Sequence, residues 1–473
     1  MKLEHHYAAL GDAFSSHVAI QPLHEQRLVE CNQTLASFLE IDFKSPETRA
    51  ILLGEESVPN SLSMVYAGHQ FGGFSPQLGD GRGVLLGEIR APDGRLYDLH
   101  MKGAGLTPYS RRGDGRAVLR SCIREYLASE AMAALQIPTS RALALFDSRE
   151  AVYREIPEPG AMLLRSAHGH IRFGHFEYFF YQGKQDELQQ LIDYCLKQYF
   201  PDALTAEQPL VAMLFEVVKR TAQMIAKWQS VGFQHGVMNT DNFSMTGETI
   251  DYGPYGFMED FDEGWVCNHS DYEGRYAFSR QPGVGLWNLN CLMRCFSEHL
   301  SRDQLVAILQ TYETQLQTHY DHLMMAKMGL QKQQDLHALL PPLLQLMSKE
   351  KMDYTLFFRL LSSLEQNDFA PILDEVIDRE AMRDWLHEYQ SVRLKEDGDW
   401  SSVSDAMLAV NPKFILRNYL AHEAIQAAER GDYLPFRRLL NVLNSPFADH
   451  DAANDLAQRA PEWGKSLEVS CSS

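Results

Sequence analysis

The sequence predicts an α+β protein in two unlike lobes, a small β-rich one followed by a large helical one. Two observations predict it. Up to about residue 182, short apolar runs alternate with turn residues, and from 61 to 120 glycine is too dense for long helices. After about residue 183, apolar residues recur at helical spacing over long segments. A chain of 473 residues is long enough for two such lobes, and a cleft between them is a natural ligand site.

The elements follow in order. Residues 1–60 mix short apolar groups with Pro, Asn and Ser and read as an extension packed on the body. Residues 84–90 and 95–103 flank Ala91-Pro92-Asp93-Gly94, which predicts two strands joined by a turn. A helix is predicted over 116–136, ended by Ile137-Pro138. Residues 141–147 and 150–156 read as a hairpin, and 161–167 as a further strand. Residues 186–200 and 209–232 are helical by length and period, 233–285 is too irregular for helix, and most of the chain from 286 onward is helical. The expected organisation is an extension (1–60), an N-lobe (61–182) and a helical C-lobe (183–473). The C-lobe carries catalytic and metal loops at 235–253 and a mobile C-terminal tail.

Composition excludes several classes. Hydrophobic residues at 45% against 22% charged exclude a disordered chain. Lys+Arg 43 against Asp+Glu 63 gives a formal charge of −20, so the overall field does not attract a nucleic-acid backbone. Any phosphate chemistry must then come from a local basic cluster. Seven cysteines, an odd number in a long chain, are no secreted disulfide framework. Cys291 and Cys295 lack a second pair at metal spacing, and strand alternation spreads His168, His170 and His175 apart. The N-terminus carries no signal-peptide pattern, and no apolar run approaches the roughly 20 residues of a membrane span. A cytoplasmic, reduced setting with no membrane contact is the expectation. The acidic run 259–263 reads as a solvated loop.

Four clusters carry candidate chemistry. Gly79-Asp80-Gly81-Arg82-Gly83 precedes a strand, and glycines there let backbone N–H groups approach an oxyanion. Lys102 ends the next strand and can reach back to phosphates, with Glu125 on the following helix as the carboxylate to hold it and Glu130 as the competitor. Tyr109 to Ala117, including Arg111, Arg112, Asp114, Gly115 and Arg116, is basic and glycine-rich just ahead of a helix, where anions bind. Arg165 and Arg172 add rigid forks for phosphate oxygens. Last, His235-Gly236-Val237-Met238-Asn239-Thr240-Asp241-Asn242 is followed by Ile250-Asp251-Tyr252-Gly253. Asn242 and Asp251 offer the hard oxygens magnesium wants. His-to-Asn spacing and the Asp-Tyr-Gly ending resemble the catalytic and metal motifs of protein kinases. The kinase proton-acceptor slot is Val237, which accepts no proton; Asp241 is the nearest carboxylate able to act as general base.

Longer strings carry a more specific likeness. Tyr66-Ala67-Gly68-His69-Gln70-Phe71-Gly72, Gln77-Leu78-Gly79-Asp80-Gly81-Arg82, Lys102-Gly103-Ala104-Gly105, Thr107-Pro108-Tyr109-Ser110-Arg111 and the segment 235–242 together resemble the selenoprotein O (YdiU) family. The likeness runs on through Asn411-Pro412-Lys413 and Arg417-Asn418-Tyr419. It implies a protein-kinase-like two-lobed fold without the usual catalytic Asp, binding ATP flipped and transferring AMP to Ser, Thr or Tyr hydroxyls of proteins. It implies nucleotide contacts at Gly79, Gly81, Arg82, Lys102, Asp114, Gly115, Arg165, Arg172 and Asp251, with Glu125 positioning Lys102. It further implies metal ligands at Asn242 and Asp251 for Mg²⁺ or Mn²⁺, and Asp241 as proton acceptor. Cys471 stands where eukaryotic relatives carry selenocysteine, and Cys267 is the partner it implies for a redox disulfide. The likeness favours a monomer. Transfer of UMP from UTP with Mn²⁺, an atypical kinase, and a non-catalytic pseudokinase scaffold are the other readings.

Overall fold

The computed structural model describes residues 1–395 and 399–469. Its N-terminal part is built on one antiparallel sheet. The strands are β1 (Ser15–His17), β2 (Arg27–Cys31), β3 (Leu62–Gln70), β4 (Gly73–Gly79), β5 (Gly83–Arg90), β6 (Leu96–Lys102), β7 (Ala117–Val118), β8 (Arg141–Tyr153) and β9 (Pro157–Ala167). Their order is β1-β3-β5-β6-β9-β8-β2, with β4 paired to β3 and β7 to β9. Residues 1–60 therefore do more than pack on the body, since β1 and β2 close the two edges of the sheet.

Period-two alternation sorts the strands' side chains between two cores. Val84, Leu86, Leu99, Met101, Met162 and Leu164 face the short N-terminal helices α1 (Gln33–Phe38) and α2 (Pro46–Leu52). Leu85, Leu145, Ala161 and Leu163 face a second core shared with α3 (Leu119–Ala134) and α4 (Phe173–Tyr181). Both faces of the sheet are covered, which is why Val84-Leu85-Leu86 of β5 and Ala161-Met162-Leu163-Leu164 of β9 read as continuous apolar runs.

From residue 185 the chain is mainly helical: α5 (Gln185–Tyr199), α6 (Pro209–Ser230), α7 (Gln281–Arg294), α8 (Arg302–Met328), α9 (Gln333–Glu350) and the shorter helices beyond. The α+β layout expected from the sequence is the one observed. α8 shows why its ends fall where they do. Ser301 accepts a hydrogen bond from the Gln304 amide at one end, and Gly329 takes a left-handed conformation (φ +65°) at the other. Between α6 and α7 lie only β10 (Phe233–Gln234), β11 (Gly256–Phe257) and short turns, so the irregular stretch forms the loops of the cleft. No helix among the described residues is long and apolar enough to cross a membrane.

Two expectations need correction. No hairpin turns at 148–149. β8 runs through to Tyr153 with a register shift between Asp147 and Ala151, and the turn falls before Pro157. Polar residues 147–149 suggested a turn, and a bulge satisfies them equally well. Nor is the acidic run a solvated loop throughout. Glu259 is ion-paired with Arg417, which also lies 2.8 Å from Asp353, and Asp260 is held by Lys465 at 2.7 Å and Arg459 at 3.2 Å. The cations come from the far C-terminal part of the chain, so no local pattern announces them.

Candidate active site

A cleft of about 580 Å³ opens where the sheet meets the loops that follow α6. Its roof is the turn between β4 and β5. Gly79 has φ +148°, and a Cβ there would lie 2.5 Å from the Tyr109 ring and 2.7 Å from the Met64 carbonyl. A side chain at Gly81 would meet the Tyr109 carbonyl at 2.9 Å. The glycines thus let the turn lie flat on the 104–116 loop, and Asp114, Gly115 and Arg116 line the same cleft. Asp114 is ion-paired to Arg154 at 2.8 Å. The Arg82 guanidinium makes no side-chain hydrogen bond among the described residues and lines the cleft.

Strand alternation on β6 puts Asp98, His100 and Lys102 on the face opposite Leu99 and Met101. Lys102 is ion-paired with Glu125, which α3 carries fully buried beneath the sheet. Glu130, one turn further along α3, is taken by Arg141 at 2.6 Å and by the Asn32 amide at 2.7 Å. The structure therefore selects Glu125 as the partner of Lys102.

His100 and Arg165 are register partners on β6 and β9. Arg165 donates to Glu125 at 3.0 Å, to Asp251 at 2.9 Å and to His100 Nδ1 at 2.8 Å. With Nδ1 accepting, His100 Nε2 is the atom that donates to Asp80 (3.2 Å). Burial, with Arg165 adding to it, pushes the imidazole down to about 4, so it is neutral here. Arg172, on the loop ahead of α4, bonds Asp251 and donates to the Asp241 carbonyl at 2.7 Å; its guanidinium lies 4.8 Å over the Tyr66 ring. Burial alone would raise Glu125 and Asp251, but the neighbouring cations outweigh it and hold both below the usual carboxylate range.

The floor comes from the 235–253 loops. His235 is buried, stacked on Trp228, and bonded through Nε2 to the Ile250 carbonyl at 2.9 Å. That bond ties the loop of Asp241 and Asn242 to the strand-like approach of Asp251, which sits at φ +58°. Asn242 donates its amide N–H to the Val237 carbonyl at 2.9 Å, which leaves its side-chain oxygen as the acceptor. Asn242 and Asp251 together present an amide and a carboxylate oxygen to the cleft, a hard-oxygen set that suits Mg²⁺ or Mn²⁺. Each Asp251 oxygen takes one arginine N–H and keeps a lone-pair site for a cation. Asp241 is nearly buried, and burial pushes its carboxyl up to about 6 against the opposing effects of Gln70 and Arg172.

The cleft gathers Gly79, Gly81, Arg82, Lys102, Asp114, Gly115, Arg165, Arg172, Asp241, Asn242 and Asp251, with Glu125 directly behind Lys102. Cys267 lies outside it, its thiol 3.0 Å from the Pro254 carbonyl, and Cys471 falls outside the described residues. Sequence reasoning missed Asp80 and His100 as a pair, and Gln70. A signal existed for His100, which shares the Lys102 face at a spacing of two. Gln70 stands in one of the strings that carry the family likeness, but nothing local points to its partner, which is 171 residues away.

The family profile described as protein adenylyltransferase SelO matches residues 1–444. Among curated relatives, a protein nucleotidyltransferase YdiU of Marinomonas sp. (strain MWYL1) is 76% identical over 473 residues, covering all of both chains. The protein nucleotidyltransferases YdiU of Vibrio cholerae and Yersinia pseudotuberculosis are 48% and 49% identical. All of this chain is covered in both comparisons, with 98% and 99% of the relatives.

Proposed function

Since the chain belongs to the protein adenylyltransferase SelO family, we propose that it transfers AMP from ATP to Ser, Thr or Tyr hydroxyls of proteins. The observation that carries this reading is the grouping of the cations. Lys102 and Arg165 share Glu125, Arg165 and Arg172 share Asp251, and all three are buried in the cleft that Asp241 also lines, while Val237 fills the slot of a kinase base. A nucleotide with its terminal phosphates on those cations presents its α-phosphorus toward Asp241.

In the proposed reaction the acceptor oxygen bonds the α-phosphorus, and the bond from that phosphorus to the bridging oxygen breaks. Pyrophosphate leaves with the electron pair, and the hydroxyl proton passes to the Asp241 carboxylate. Lys102, Arg165 and Arg172 stabilise the charge growing on the leaving group. Asn242 and Asp251 would hold a divalent cation, which supplies further charge neutralisation at the phosphates. The enzyme works as a monomer in the cytoplasm.

A redox control belongs to the same reading. Cys267 and Cys471 join as a disulfide under peroxide, two thiols giving one S–S bond while the peroxide takes up two electrons and two protons as water. Its support lies in the described residues next to the two cysteines. Val469, two residues ahead of Cys471, bridges Asn268 next to Cys267, and the His269 amide donates to the Val469 carbonyl at 2.8 Å. Non-reducing peptide mapping after peroxide treatment tests it, and two unlinked thiols would refute it.

The decisive test of the transfer is incubation with cell extract and Mg²⁺, using ATP labelled at either the α- or the γ-phosphate. Protein labelled only from the α-position, and lost with Asp251→Ala, is expected. Label only from the γ-position would make the chain a kinase. Nucleotide binding with neither label would make it a scaffold, and a parallel run with UTP and Mn²⁺ reads the base preference.

A further inference from the structure

The segment Gly68-His69-Gln70-Phe71 is part of one of the strings that carry the family likeness, yet nothing in the reaction above uses it. The structure places it at the end of β3, against the loop that carries Asp241. Three consecutive residues bond three consecutive residues there. The His69 amide donates to Thr240 Oγ1 at 2.7 Å, the Gln70 side-chain amide to Asp241 Oδ2 at 3.0 Å, and the Phe71 amide to Asn239 Oδ1 at 3.1 Å.

Two of the three contacts are backed from behind. Thr240 Oγ1 donates to Glu177 on α4, a fully buried carboxylate whose other oxygen pairs with His69 Nδ1. His69, Thr240 and Glu177 therefore close a ring of hydrogen bonds next to Asp241. Asn239 Oδ1 also accepts from the Tyr276 hydroxyl at 2.6 Å. Phe71 takes φ +49°, a conformation that costs a phenylalanine energy and turns its amide onto the loop.

Gly68 completes the set. Its φ is not positive, so its backbone alone has no need of glycine. A Cβ there would lie 2.4 Å from Asp241 Oδ1, so glycine leaves room for the carboxylate against the strand. One oxygen of Asp241 thus abuts Gly68 and the other is held by Gln70. Among the described residues no donor reaches Oδ1. The torsion that turns a carboxylate is soft, so a single hydrogen bond decides its orientation.

We propose that the end of β3 is the positioning element of the proton acceptor, with Gln70 the positioning residue that orients the Asp241 carboxylate toward the incoming hydroxyl. The inference rests on Asp241 being that acceptor, as in the reading above.

The test uses the full chain, cell extract as acceptor and α-labelled ATP. Gln70→Leu keeps the bulk and removes the donor, at a partly exposed position where folding is not at stake. Its rate at saturating ATP should fall about 10- to 100-fold, with the apparent KM for ATP and the binding of a fluorescent ATP analogue unchanged. In an Asp241→Ala background the same change should lower the residual rate no further, because Gln70 acts through Asp241. A full rate in Gln70→Leu, or an equal loss in both backgrounds, would overturn the proposal. Full transfer by Asp241→Ala alone would instead remove the acceptor assignment, and that result is read independently of Gln70.

Discussion

Arg165 and Asp251 are joined by a 2.9 Å ion pair that links the innermost strands of the sheet to the loop facing them. The same guanidinium nitrogen lies 3.0 Å from Glu125. One arginine therefore stands between a carboxylate on α3 and a carboxylate on the opposite wall of the cleft. Removing either acid leaves a cation short of charge in a place with little water.

Glu125→Gln should for this reason lower stability by about 3–5 kcal/mol, the cost of breaking a buried pair from one side. It should also slow transfer at least about tenfold, since Lys102 loses its anchor. Glu130→Gln should destabilise by about 1–3 kcal/mol through Arg141 and leave the apparent KM for ATP unchanged. Denaturant melts and initial rates on the two variants check the pairing, and a reversed pattern would refute it.

Arg172→Lys should cost at least about tenfold in transfer while the charge is kept. The Arg172 guanidinium bonds the Asp251 carboxylate and the Asp241 carbonyl and lies over Tyr66. A single ammonium group cannot make that set of contacts at once. Rates with α-labelled ATP measure it, and an undiminished rate would show that charge alone matters at this position.

The pH dependence follows from Asp241. An acceptor must be ionised to take a proton, and burial pushes this carboxyl up to about 6. Activity should accordingly rise as pH rises through about 6 and level off above it, with kcat/KM reporting the free enzyme. An ordinary aspartate would place that limb near pH 4. A profile of kcat/KM from pH 4.5 to 8 distinguishes the two, and a flat profile would mean that another group takes the proton.

Gly68→Ala should reduce transfer at least about tenfold with little change in ATP affinity. The added methyl falls 2.4 Å from Asp241 Oδ1, so the carboxylate must move. Overpacking of this kind costs about 1–3 kcal/mol of stability. The same initial-rate and binding assays decide it, and a normal rate would show that the carboxylate relocates without consequence.

How much of this was legible depended on how far each signal reached along the chain. The strands over 84–90 and 95–103 were plain because the turn residues Ala91-Pro92-Asp93-Gly94 part them. The 141–167 region was harder, because a bulge and a turn have the same polar signature, and only pairing with β9 tells them apart. The acidic run at 259–263 looked solvated because Arg417, Arg459 and Lys465 reach it from the far end of the chain.

Sequence by itself determined the residue types and their order: a glycine turn, a strand lysine, a helix carboxylate, two arginines, and a loop with Asp241, Asn242 and Asp251. It also excluded Val237 as a base, since side-chain chemistry needs no coordinates. Tertiary structure alone decided which carboxylate holds Lys102, how Arg165 spans the cleft, and that Gln70 meets Asp241 across 171 residues. Spacing along one strand or helix fixes which face a residue occupies, because the backbone repeats locally. Which faces then meet is set by the packing of elements distant in sequence, and a local pattern carries no record of that.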